Sequence, residues 1–168
     1  RTVNAIGETI SADVSTTAEE PDVTCFSAQV AEVEVDPETG NVKLKKFVTA
    51  HDVGTIHNPI THQGQIDGAV VQGFGYALME ELLADEGQIS TLSMGDVKSP
   101  TIEDIPKLET ILVESQGGNG PYGSKAIVEQ PLPPVAPAIA NAVFDAIGVR
   151  IVDLPITSEK VLKALRNK

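Results

Sequence analysis

The sequence predicts an α+β domain in which an antiparallel hairpin and further strands pack with a long glycine-containing helix and two C-terminal helices. Three observations predict it. Two period-two apolar runs flank a Pro/Gly turn, a long run at helical period opens on Asn58-Pro59, and two short amphipathic segments follow near the C-terminus. The strands come first as a hairpin, not in strict βαβ alternation, which sets this class apart from doubly wound folds. A length of 168 residues suits one domain with a sizeable core.

Residues 1–23 are polar, rich in Ser, Thr and Glu, and show no sustained period, so they are read as an irregular N-terminal segment. In Ala28–Val35, Gln29, Ala31, Val33 and Val35 fall on one face and Glu32 and Glu34 on the other. Asp36-Pro37-Glu38-Thr39-Gly40-Asn41 is a turn cluster. Val42, Leu44, Val48 and Ala50 then share a face opposite Lys43 and Lys45, which completes the hairpin.

Residues 51–58 read as a loop. Asn58 supplies a side-chain cap and Pro59 a preset φ for a helix from about Ile60 to Leu83. At 100° per residue, Ile66, Val70, Phe74, Ala77 and Leu78 form its core stripe, and Gly64, Gln65, Gly68, Gln72 and Gly75 gather opposite. A solvated face normally carries Lys and Glu, because glycine costs about 1 kcal/mol per helical site. Three glycines and two glutamines therefore imply a close approach, by another element of the protein or by a ligand.

Leu108–Glu114 reads as a strand with Leu108, Thr110 and Leu112 alternating against Glu109, Ile111 and Val113. Residues 116–123 form a loop with four glycines. A helix over about Ala138–Ile147 turns Ile139, Val143 and Ile147 inward and stops at Gly148. Val149–Val152 reads as a short strand, and Thr157 or Ser158 caps a last helix bearing Val161, Leu162 and Leu165.

Composition excludes several functions. Twenty-four acids against twelve Lys and Arg leave a net charge of −12, which would repel phosphate backbones and anionic membranes, so no nucleic-acid or membrane partner is expected. No apolar run is long enough to span a bilayer and no signal-peptide layout opens the chain. The lone Cys25 forms no internal disulfide and cannot hold an iron–sulfur cluster, and it fits a reducing, cytoplasmic setting. The chain begins with Arg, as a fragment or a processed piece would.

His51, His57 and His62 stand at spacings of six and five with no Cys or carboxylate box, so ordinary loop and surface histidines are favoured over zinc ligands and no metal-ligating residue is assigned. The glycine-rich loop lacks the Lys-Ser/Thr ending of a P-loop, and Gly-x-Ser-x-Gly is absent. Glu129 follows Ala126, Ile127 and Val128. An acid in an apolar surround has its pKa raised toward neutrality, as a general base needs, whereas the bland reading is a solvated surface group.

Gly123-Ser124-Lys125-Ala126-Ile127-Val128-Glu129-x-Pro131-Leu132, followed by Ala136-Pro137-Ala138-Ile139-Ala140-Asn141-Ala142, resembles the C-terminal motif of the xanthine dehydrogenase/aldehyde oxidase family of molybdenum hydroxylases. His51-Asp52-Val53-Gly54 with Asn58-Pro59, and the run Gly64-Gln65-Ile66-Asp67-Gly68 continuing to Gln72-Gly73-Phe74-Gly75, are similar to two upstream family blocks in the same order. The resemblance implies that residues 24–168 are the C-terminal part of a molybdenum-cofactor-binding domain. It implies Glu129 as the catalytic base on the molybdenum-bound hydroxyl, with Gln65 at the cofactor and Ser124, Lys125, Ala126, Ile127 and Val128 lining the pterin. Val128 stands where the common family form has Gly, a subfamily mark.

By the same resemblance the cofactor is a molybdenum-pterin, as molybdopterin or its cytosine dinucleotide, and the substrate is a purine-like or other N-heterocycle, or an aldehyde, hydroxylated with water-derived oxygen. The rest of the molybdenum subunit and chains carrying 2Fe-2S and FAD are the implied partners in a hetero-oligomer, and this chain alone is expected to be inactive. The alternative is a non-catalytic interaction or scaffold module that keeps the fold.

Overall fold

The computed structural model describes residues 2–5, 8–11 and 23–167. β1 (Thr2–Ala5) and β2 (Glu8–Ser11) pair antiparallel, with Val3 opposite Ile10. This corrects the expectation of an irregular segment there. Thr2, Val3, Thr9 and Ile10 are β-branched and favour extended backbone, in runs of four residues too short to display a period. Residues 12–22, which that expectation also covers, lie outside the described residues.

β3 (Ser27–Val35) half-buries Gln29, Ala31, Val33 and Val35 and exposes Glu32 and Glu34, as its alternation requires. In the turn that follows, the Asp36 carboxylate accepts from Thr39 Oγ1 at 2.7 Å and from Glu38 N at 2.8 Å. β4 (Val42–Gly54) returns antiparallel.

β4 differs from expectation in two ways. Glu32 lies opposite Lys46 and Val33 opposite Leu44, so the strand bulges at Lys45. One extra residue reverses the parity of everything after it. Leu44 is buried before the bulge and Phe47, Thr49, His51 and Val53 after it, while Val48 and Ala50 turn to the other face. The strand also runs through His51–Gly54, because a later parallel strand pairs with that stretch.

Asn58 caps α1 (Pro59–Leu78), its Oδ1 accepting from Ile60 N at 3.1 Å and Thr61 N at 3.2 Å. Ile66, Val70, Phe74 and Ala77 are buried along it. The helix stops five residues short of Leu83. Met79 N and Glu80 N both donate to Gly75 O at 2.8 Å, which closes the last turn. β5 (Ala84–Asp85) and β6 (Gln88–Ile89) form a small exposed hairpin, and α2 (Met94–Val97) is held by a Ser93–Asp96 capping box.

β7 (Lys107–Glu114) turns Leu108, Thr110 and Leu112 inward, as read, and completes a mixed sheet in the order β3-β4-β7. α3 (Val135–Ile147) lies on the same sheet face as α1, against β3, while α1 lies against β7. Ile139, Val143 and Ile147 enter the core as expected. α1 and α3 meet closely at Gly73, where a Cβ would stand 2.5 Å from Val135 Cβ. Residues 149–152 form no strand. Val149 and Ile151 half-bury on the core, and Ile156 N donates to Ala77 O at 2.7 Å, so the chain is drawn across the helices and not to a sheet edge. Thr157 caps α4 (Ser158–Arg166), which buries Val161.

Candidate functional site

The end of β4 and the glycine-rich loop are built as one unit. Gly54 sits at φ +65°, and a Cβ there would collide with Gly123 O. That close approach lets Thr55 N donate to Gly123 O at 3.0 Å and Lys125 N to Val53 O at 3.0 Å. Lys125 Nζ reaches Asp52 Oδ2 and also donates to Thr24 O at 3.0 Å. Asp52 Oδ1 in turn accepts from Ser115 Oγ and from Gly54 N. The Lys125 ammonium, then the Ser115 hydroxyl, hold the Asp52 carboxyl below the ordinary carboxylate range.

The same unit touches the start of α1. The rings of His57 and Tyr122 meet edge to face at 5.7 Å, one residue before the Asn58 cap. His51 and His62 are buried. His51 Nε2 shares a 2.5 Å hydrogen bond with Thr49 Oγ1, and burial pushes its pKa below the ordinary value. His62 Nδ1 lies 2.8 Å from Asn58 O. Among the described residues no group of three His, Cys, Asp or Glu could hold a metal ion.

The glycine face of α1 is open. Gly64, Gln65, Gly68 and Gln72 are exposed, and no atom of the described residues would meet a Cβ at Gly64 or Gly68. Gly75, expected on that face, is buried beside Glu80. Tyr76 stands about 20° around the helix from Gln65 and about 16 Å along it. The amide stripe therefore ends at Tyr76.

Tyr76 leads to the Glu129 turn. Its hydroxyl donates to Leu132 O at 3.0 Å, and burial raises its pKa, so it remains a donor. Gln29 Nε2 donates to Pro131 O at 2.7 Å, and Pro131 is fully buried. Leu132 N donates to Glu129 O at 3.2 Å and closes the turn.

The structure places the remaining site candidates on this loop and turn. Ser124 is half-buried and its hydroxyl donates to Pro121 O at 3.1 Å. Lys125 spends both its ammonium and its N–H inside the chain. Ile127 packs on the core, and Ala126 and Val128 are exposed. The N–H groups of Ala126, Ile127 and Val128 donate to no other described residue. Glu129 is exposed, as the reading of a solvated surface group has it and against the reading of an apolar surround. Pro131 is the residue drawn inward by the turn, while Val128 and Glu129 before it are exposed and Gln130 is half-buried. Among the described residues no hydrogen bond or ion pair engages the Glu129 carboxylate.

Sequence reasoning missed Asp52, Ser115, Gln29 and Tyr76. Two of them left a trace: Gln29 as an amide on an otherwise apolar strand face, and Asp52 as a member of the His51–Gly54 block, with no role given to it. A cavity of about 550 Å³ lies away from these residues, lined by Leu44, Phe74, Leu78, Ile105, Lys107 and Ile156.

Comparison with known proteins gives a consistent result. The family model of the molybdopterin cofactor-binding domain matches residues 3–106. The chain is 36% identical over 150 residues to the xanthine dehydrogenase molybdenum-binding subunit of Escherichia coli O157:H7, covering 88% of this chain and 20% of that one. It is 36% identical over 158 residues to the aldehyde oxidoreductase molybdenum-binding subunit of Escherichia coli K12, covering 92% and 22%. The aldehyde oxidoreductase structure from Desulfovibrio gigas superposes with a TM-score of 0.77 at 36% identity, over 84% of this chain and 15% of that one. The chain thus spans about a fifth of the length of the curated relatives it matches.

Proposed function

Because the chain belongs to the molybdenum hydroxylase family of the xanthine dehydrogenase and aldehyde oxidoreductase type, we propose that it forms one wall of a molybdenum-pterin pocket and supplies the base, Glu129, of a hydroxylase. One observation carries this reading. The exposed Gly64–Gln65–Gly68–Gln72 stripe of α1 runs in line with Tyr76, which holds the turn presenting Glu129.

The residues present fit such a group. A flat polar heterocycle needs close backbone approach and paired donors and acceptors. Open glycines, two amides and the N–H groups of Ala126, Ile127 and Val128, which donate to no other described residue, offer these. Gln65, with those N–H groups, would hold the pterin. Lys125 would act only by fixing the loop, since its ammonium is committed to Asp52. When bound, the molybdenum-pterin supplies the two-electron oxidation and the site for water-derived oxygen.

The Glu129 carboxylate would accept the proton of the water-derived oxygen. A carboxylate with no partner among the described residues keeps its accepting capacity for that task. The substrate class is an electron-poor carbon of a purine-like or other N-heterocycle, or of an aldehyde. The 2Fe-2S and FAD centres that would take up the electrons are assigned to partner chains of a hetero-oligomer, since Cys25, the one cysteine here, cannot ligate a cluster.

The test is Glu129→Gln in the full-length molybdenum subunit assembled with its partners. Molybdenum content should be retained while kcat falls by roughly 10²–10⁴ or more. Near-normal kcat at verified molybdenum content would sink the base assignment. It would favour a scaffold module, a reading that rests on the exposure of Glu129 and on Val128 beside it.

A further inference from the structure

We propose that Gln29 and Tyr76 are positioning residues for the reaction, acting together as a clamp that sets where Glu129 stands. The proposal rests on the reading of Glu129 as the base. Among the described residues the Glu129 carboxylate has no partner, so the backbone that carries it sets its place.

That backbone is held at two consecutive carbonyls by side chains from two different elements. Gln29 of β3 donates to Pro131 O at 2.7 Å and Tyr76 of α1 donates to Leu132 O at 3.0 Å. Leu132 O also accepts from Val135 N at 3.2 Å, which ties the turn to the first residue of α3. Sheet, long helix and following helix therefore converge on two carbonyls, two and three residues beyond the acid.

The chemistry of Gln29 shows that its amide is there to bond and not to fill space. It stands on the half-buried apolar face of β3 among Ala31, Val33 and Val35. Its Oε1 is buried and has no hydrogen-bond partner among the described residues. An aliphatic side chain would fill that site without an orphaned acceptor. What the amide adds is the bond to Pro131 O, 102 residues away in sequence. Tyr76 is built the same way, as a ring packed on the core with its hydroxyl directed at one carbonyl.

The experiment uses the full-length enzyme with its partner chains and the variants Gln29→Met and Tyr76→Phe, which keep shape and remove the donor. Hydrogen exchange of the Leu132 and Val135 amides should quicken while molybdenum content stays at the wild-type level. Turnover per molybdenum should fall roughly 10–100-fold, the scale on which a misplaced catalytic group is felt. In a Glu129→Gln background neither change should lower the residual rate further, because both act through that carboxylate.

Unchanged turnover per molybdenum in both variants would overturn the clamp, as would activity lost in step with molybdenum or losses that simply add to those of Glu129→Gln. If Glu129→Gln itself turns over normally, the base assignment falls instead, so the two failures are told apart. Should Gln29→Met fail to accumulate, Tyr76→Phe, which deletes one oxygen, carries the same readouts.

Discussion

Lys125 Nζ lies 2.6 Å from Asp52 Oδ2, with the two side chains 6% and 11% exposed. The pair bolts the glycine-rich loop to the end of β4. Removing one partner of a buried pair leaves a charge without compensation. Lys125→Met should therefore cost about 3–5 kcal/mol in denaturant unfolding at pH 7. A cost within experimental error would mean that water reaches the carboxylate.

Two acid transitions should be separable. The Asp52 carboxyl is held low in the fold, so its contribution is complete above its unfolded value near 4 and is lost as pH falls through the folded value. His51 is also shifted down, here by burial. Below its unfolded value near 6.5 the unfolded chain binds the proton more readily, and stability falls as pH drops. Unfolding midpoints measured from pH 7 to pH 3 should decline in both windows. His51→Gln should flatten the upper one and leave the lower.

The helical glycines should part company. Gly73→Ala drives a methyl into Val135 and should destabilise by about 1–3 kcal/mol. Gly68→Ala meets nothing in the described residues and should stabilise the chain by roughly 1 kcal/mol. If the pterin lies on that face, the same methyl should lower the molybdenum content of the full-length enzyme. Full loading with Gly68→Ala would argue that the open stripe faces something else.

The parts legible in the sequence were those set by local chemistry. Asn58-Pro59 announced the start of α1, the spacing of Ile66, Val70 and Phe74 gave its buried side, and the alternation of Leu108, Thr110 and Leu112 gave the inner face of β7. Features decided by distant partners were not legible. The bulge at Lys45 is visible only once β3 and β4 are in register, and the extension of β4 through Gly54 depends on β7. Val149–Val152 has strand-like residues but no strand to pair with.

The candidate site divides in the same way. Gln65 stands on an open helix face: its glycine neighbours implied a close approach, and no described residue makes one at Gly64 or Gly68. Glu129 was legible as an acid of interest, with an apolar surround and a solvated surface both open, and the structure takes the second. Gln29 and Tyr76, more than fifty residues from the carbonyls they hold, create the inward pull on Pro131 that leaves it at the surface. The resemblance implied a lining role for Lys125, and its ion pair was not legible because the counter-ion lies 73 residues earlier.

The alignment of Gln65 with Tyr76 turns one stretch of helix into a gauge with no tolerance for indels. A single inserted or deleted residue between them would swing one end by about 100° and slide it by about 1.5 Å, so the amide and the phenol would no longer look the same way. Chain length can drift in the β5–β6 hairpin, where Ala84–Ile89 is exposed at the surface. Between Gln65 and Tyr76, homologous chains that keep the activity should all count eleven steps.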